Sequence, residues 1–125
     1  MSRIATFVQK INVKVSLILH SEKDRAKQTA QMLADYLKPE KGISETESLA
    51  PMDDPDIWIK RINGMNEDIM LVGHLPYLAK LTGVLLCGNT EKTCIDFKMG
   101  GVVCCRRFDD GRWAVAWMIV PEMVK

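Results

Sequence analysis

Two short apolar runs, residues 13–19 (VKVSLIL) and 68–73 (DIMLVG), each end in polar residues and open directly into a helical pattern. A strand that feeds a helix, repeated along a chain, points to an α/β fold with a mainly parallel sheet flanked by helices. The segments between agree. Residues 3–11 (RIATFVQKI) carry Ile4, Phe7, Val8 and Ile11 at helical spacing, and Asn12 suits a left-handed stop. After the first run, Ser21 and Asp24 form a capping-box-like start for a helix whose Ala26, Ala30, Leu33 and Leu37 share one face, ended by Pro39 and Gly42.

Residues 43–56 read as a short edge strand or loop. Asp54 and Pro55 then start a helix containing Ile57, Trp58 and Ile62, which Gly64 ends. Pro76 opens another helix, with Leu78, Leu81, Thr82 and Leu85 on one side. The tail changes character: residues 94–108 and 112–120 are β-rich, and Asp109-Asp110-Gly111 joins them as a C-terminal β-hairpin. With no internal repeat or linker, residues 1–125 read as a single domain.

Charge bounds the function. Lys and Arg total 17 against 16 Asp and Glu, which speaks against nucleic acid as a partner. No apolar run has the length of a membrane span, and the first residues lack a signal-peptide core. The four cysteines form no CxxC pair and there are two histidines, so no zinc or other metal site is expected. Cys104 and Cys105 are neighbours in a strand-like run and suit no ordinary disulfide. The cysteines read as reduced packing thiols in a cytoplasmic protein.

Chemistry concentrates at the two strand ends. Arg25 lies in the first turn of one helix and His74 sits just before Pro76, so two donors and two helix starts share the edge where open α/β sheets bind ligands. A phosphoryl group fits such a cradle. On the residues alone, Arg25 is equally a solvated first-turn arginine and His74 equally a histidine bonded to a neighbouring carbonyl. Gly73 suits a close backbone approach. His20 reads as structural.

SEKDRAKQTA (residues 21–30) resembles the S-x-x-x-R-A-x-Q-T-A segment of the histidine phosphatase superfamily, in particular the short bacterial phosphohistidine phosphatases of the SixA type. IMLVGHLPYLAKL is similar to the V-G-H-x-P-x-L segment of that family. SLAPMDDPDIW, FKMGGVV and WMIVPEMV follow in the family's order, so the likeness covers nearly the whole chain. It implies the phosphoglycerate-mutase/histidine-phosphatase-like fold, no cofactor and a phosphohistidine-bearing protein as partner. Arg25 matches the arginine that holds the phosphoryl group, and His74 the second active-site histidine, which contacts the same oxygens. Ser21 matches a strand-end position of the phosphate site, with Glu22 where many members have proline. Gln28 and Thr29 match positions that orient the helix.

The family's defining Arg-His-Gly, whose histidine is the nucleophile, occurs nowhere in these residues. The resemblance therefore implies a domain incomplete at its N-terminus, lacking the usual first central strand, with no catalytic residue assignable. In-line phosphoryl transfer has no first step without an unprotonated nucleophile. That strand is expected between the two motif strands, so its loss predicts either neighbours that close the gap or a homo-oligomer formed through exposed sheet edges. Three functions follow: an inactive phosphate- or phosphoprotein-binding domain; an active protein-histidine phosphatase, if another chain or a longer gene product supplies the strand; or an oligomeric interaction protein without phosphate chemistry.

Overall fold

The computed structural model describes residues 2–89, 91 and 94–124. The order is α1 (Ser2–Lys10), β1 (Leu17–His20), α2 (Asp24–Leu37), β2 (Ile43–Glu45), α3 (Asp56–Asn63), β3 (Ile69–Val72), α4 (Tyr77–Cys87), β4 (Val102–Arg107), β5 (Trp113–Ile119) and a 3-10 turn (Pro121–Met123). Strands β2, β1 and β3 form a parallel sheet in that order, and β4 and β5 form a separate antiparallel hairpin.

Strand β1 is central because its run of Leu, Ile and Leu is apolar on both faces, as a strand covered on both sides requires. Side chains alternate across it. Ile18 enters a core with Ile4, Ala5 and Val8 of α1, Ala26, Ala30 and Leu33 of α2, Val72 of β3 and Ile119 of β5. Leu19 enters a second core on the other face, with Leu49, Trp58, Tyr77 and Leu81. Helices thus cover both faces, the architecture the alternation predicts.

The ladder continues past both ends of β1. The Ser16 amide donates to the Asp68 carbonyl (2.8 Å) and the Ser21 amide to that of Val72 (3.0 Å). Of the two expected outcomes, neighbours that close the gap is the one found: β1 pairs directly with β3, from Leu17 opposite Ile69 to His20 opposite Val72. The sheet breaks elsewhere. Among the described residues, neither β4 nor β5 pairs with β3. The hairpin instead packs Val102, Trp117 and Ile119 into the first core.

A polar clamp adds to that packing. The Arg107 guanidinium donates to the carbonyls of Ile62 (3.2 Å), Asn63 (3.1 Å) and Met65 (2.7 Å), where α3 ends. Gly101, just before β4, needs its missing side chain, since a Cβ there would lie 3.0 Å from the Ile119 carbonyl oxygen. Gly73 does not. A Cβ there would meet the Leu49 carbonyl at 3.6 Å, an ordinary contact, so the close approach read from the sequence is corrected.

Three further expectations change. In α1 the buried face is Ile4, Ala5 and Val8, while Phe7 and Ile11 stay 36% and 44% exposed. Small Ala5 lies completely buried at the contact, and the inner stripe is turned accordingly. Asn12 does take the left-handed stop, at φ 60°. Second, the residue capping α2 is Lys23, which has no side chain bonded across the cap. The hydroxyl of Ser21 is two residues too early for a capping box. Third, Cys87 and Cys94 are bridged, with Cα atoms 7.1 Å apart, so these two are not the reduced thiols expected. Cys104 and Cys105 are free, and burial raises both thiols, Cys105 to about 11, which keeps them protonated packing groups.

No helix among the described residues is long and apolar enough to cross a membrane.

Candidate functional site

The carboxyl ends of β1 and β3 lie side by side because the two strands are paired in register, and the residues just past them meet. Ser21 follows β1 and His74 lies two residues past β3. The Ser21 Oγ and the His74 Nε2 are 2.7 Å apart. The Lys23 amide also donates to Ser21 Oγ, at 3.3 Å. Ser21 is 2% exposed, whereas His74 is half-buried and its Nδ1 has no hydrogen-bond partner among the described residues.

Electrostatics follow from this packing. Burial holds the His74 imidazole below its ordinary value, and the positive charges of Lys23 and then Arg25 push it further the same way. Neutral imidazole beside two cations is therefore the resting state near neutral pH. Arg25 and Lys23 are exposed. The arrangement offers two exposed cations and one imidazole edge to an anion arriving at the rim of the sheet.

The sequence-predicted residues thus separate. Arg25 and His74 share one neighbourhood, linked through the field of the guanidinium on the imidazole. Ser21 belongs to it too, but its hydroxyl turns inward to His74. His20 stands apart: it is 3% exposed, and its Nδ1–H donates to the Ser21 carbonyl at 2.8 Å, a structural role. Gln28 is exposed and Thr29 half-buried on α2.

Two neighbours escape a reading of the sequence. Lys23 contributes both an amide to Ser21 and a charge to His74, and nothing in its immediate sequence marks it. Tyr77, at the first turn of α4, is fully buried, and its hydroxyl has no partner among the described residues. Burial pushes that phenol up to about 12, with Asp53 and Asp54 adding to the shift and Arg61 opposing it. Asp53 meanwhile accepts the Ala50 amide at 2.9 Å, a bond within the loop between β2 and α3. No group of three or more His, Cys, Asp or Glu that could hold a metal ion occurs among the described residues.

No family model matches the chain, and no curated protein matches it. Solved structures do. The protein histidine phosphatase SixA, in a complex with tungstate, superposes with a TM-score of 0.83 at 21% identity, covering 99% of this chain and 81% of that one. A SixA of Agrobacterium tumefaciens, assigned as a phosphohistidine phosphatase, superposes with a TM-score of 0.75 at 18% identity, covering 96% and 77%.

Proposed function

The fold of this chain is that of the SixA-type histidine phosphatases, and we propose that the domain binds a phosphoryl group of a phosphohistidine-bearing protein without hydrolysing it. The observation that carries this reading is the meeting of a neutral His74 with the charges of Lys23 and Arg25 at the shared end of β1 and β3. Each charge-assisted hydrogen bond to a phosphoryl oxygen contributes about 1.5–3 kcal/mol. Inactivity is supported by the two histidines themselves. His20 is buried and tied to a carbonyl, and His74 is tied through Nε2 to Ser21. His20 is thus out of solvent's reach, and the nitrogen of His74 that stays open, Nδ1, carries the ring proton when Ser21 donates to Nε2.

A second reading is favoured by the break in the sheet. The outer edge of β3 and the hairpin are not paired to each other, and a strand from another chain or a longer gene product that bridged them could add a nucleophile and restore protein-histidine phosphatase activity. The same edges support homo-oligomer formation. A cytoplasmic placement belongs to the proposal as well, with the Cys87–Cys94 bridge counting against it.

Tungstate, which the similar SixA binds, is the probe. Wild-type protein is expected to bind tungstate or phosphate by calorimetry, and Arg25→Ala to weaken binding by about tenfold to about a hundredfold. Neither a phosphohistidine peptide nor an aryl phosphate should turn over. Turnover lost in His74→Ala would instead establish the second reading. No anion binding, together with a melting temperature that depends on protein concentration, would leave only the oligomeric one.

A further inference from the structure

Resting on the anion-binding reading above, we propose that Ser21 is a positioning residue. Its buried hydroxyl holds His74 in the Nδ1–H form, so that the imidazole meets a phosphoryl oxygen as a donor and not as a nucleophile or base.

The direction of the Ser21–His74 bond follows from counting protons. A hydroxyl has one hydrogen to give and two lone pairs. The Lys23 amide already donates to Ser21 Oγ at 3.3 Å, which uses one lone pair. His74 Nε2, at 2.7 Å, is the acceptor within reach of the remaining hydrogen. Were Nε2 protonated, it would donate to the same oxygen. The Ser21 O–H would then be buried at 2% exposure without an acceptor, at a cost of about 1–3 kcal/mol. The arrangement that satisfies every atom is therefore Ser21 O–H donating to a bare Nε2. In neutral imidazole the single ring proton is then on Nδ1.

Two consequences follow at the mouth of the site. Nδ1, which no described residue engages, becomes an N–H donor on a ring that already feels the positive charges of Lys23 and Arg25. An oxyanion arriving there finds donors only. The lone pair that could attack phosphorus is Nε2, and it is occupied by Ser21. The same spacing would suit a serine nucleophile with a histidine base, but burial excludes that role: phosphorus cannot be brought in line with a hydroxyl that solvent does not reach.

Long-range proton–nitrogen NMR correlations on the two histidine rings read the protonated nitrogen directly. They should be recorded at about pH 8, above the ordinary imidazole range, with His74→Gln used to assign the spectrum. Wild type is expected to show Nδ1–H at His74. In Ser21→Ala the signal should move toward a tautomer mixture, and tungstate binding should weaken about tenfold, with backbone spectra reporting that α2 is intact. Ser21→Thr should restore both. Nε2–H at His74 in wild type, or Ser21→Ala with an unchanged tautomer, overturns the proposal. An intact Nδ1–H signature in a protein that binds no tungstate overturns the anion-binding reading and leaves the lock standing. Arg25→Ala is the control in the other direction, since it should weaken tungstate binding while the tautomer stays as in wild type.

Discussion

Ile18 in β1 and Met118 in β5 are both mid-strand aliphatic residues, yet Ile18 is completely buried and Met118 is 38% exposed. The contrast extends to their surroundings. Strand β1 is paired on both edges and covered on both faces, and its backbone bonds continue through Ser16 and Ser21. Among the described residues the hairpin is paired only to itself, with Val115 and Phe108 also well exposed. It joins the rest through a few core side chains and the Arg107 clamp. Stability in the first region comes from apolar burial on both faces, while the second depends in part on polar anchoring at one corner. The candidate site lies at the end of the first region, where pairing with β3 fixes the spacing of Ser21 and His74.

The largest expected effect tests the buried region. Ile18→Ala should lower unfolding free energy by about 2–5 kcal/mol, the range for emptying a filled core site. Met118→Ala should change it by less than about 0.5 kcal/mol, as exposed positions do. Denaturant titration of both variants measures the difference, and similar losses would erase the distinction between the regions. Arg107→Ala comes next. Removing a charged donor from three carbonyls is expected to cost about 1.5–3 kcal/mol. Hydrogen exchange should rise in β4 and β5 while β1 and β3 keep their protection. Arg107→Lys should not rescue, because one ammonium cannot span the three carbonyls of Ile62, Asn63 and Met65. Uniform loosening of both regions would show that the hairpin and the sheet unfold as one unit.

How far the sequence reaches follows the same division. The parallel strands are legible because runs such as LIL and IMLV, each followed by a helix start, allow few alternatives. The edge strand β2, the Pro55 and Pro76 helix starts and the hairpin turn are local signals and fall where expected. Contacts between distant residues are another matter. Ser21 reads as a cap from its spacing to Asp24, and its real partner, His74, is 53 residues away. Phe7 and Ile11 look like core by hydrophobicity, but which stripe of α1 turns inward depends on how closely α2 approaches, and Ala5 permits that approach. The Cys87–Cys94 bridge carries no motif. Adjacency of β1 and β3 is likewise a property of the assembled sheet, and the sequence left it as one of two outcomes, neighbours that close the gap or a strand edge filled by another copy.

The smallest effect concerns the pH response of the site end of the sheet. An imidazole lowered on folding binds its proton less readily in the native chain than in the unfolded one, where its pKa is about 6.5. For His74 the causes are burial first, then Lys23, then Arg25. Between the depressed native value and about 6.5 the unfolded chain therefore holds more protons, so stability rises with pH across that window. Below the window both states are protonated and the penalty is present in full; above it the penalty is gone. His74→Gln should remove this slope. Arg25→Ala, which deletes the smallest cause, should narrow the window only slightly. Urea midpoints taken at intervals through the window measure the slope, and a slope that survives in His74→Gln would assign it to groups away from the site. Because the hairpin contributes no such group, its exchange rates should show no matching step, which makes the pH response a property of the β1–β3 end alone.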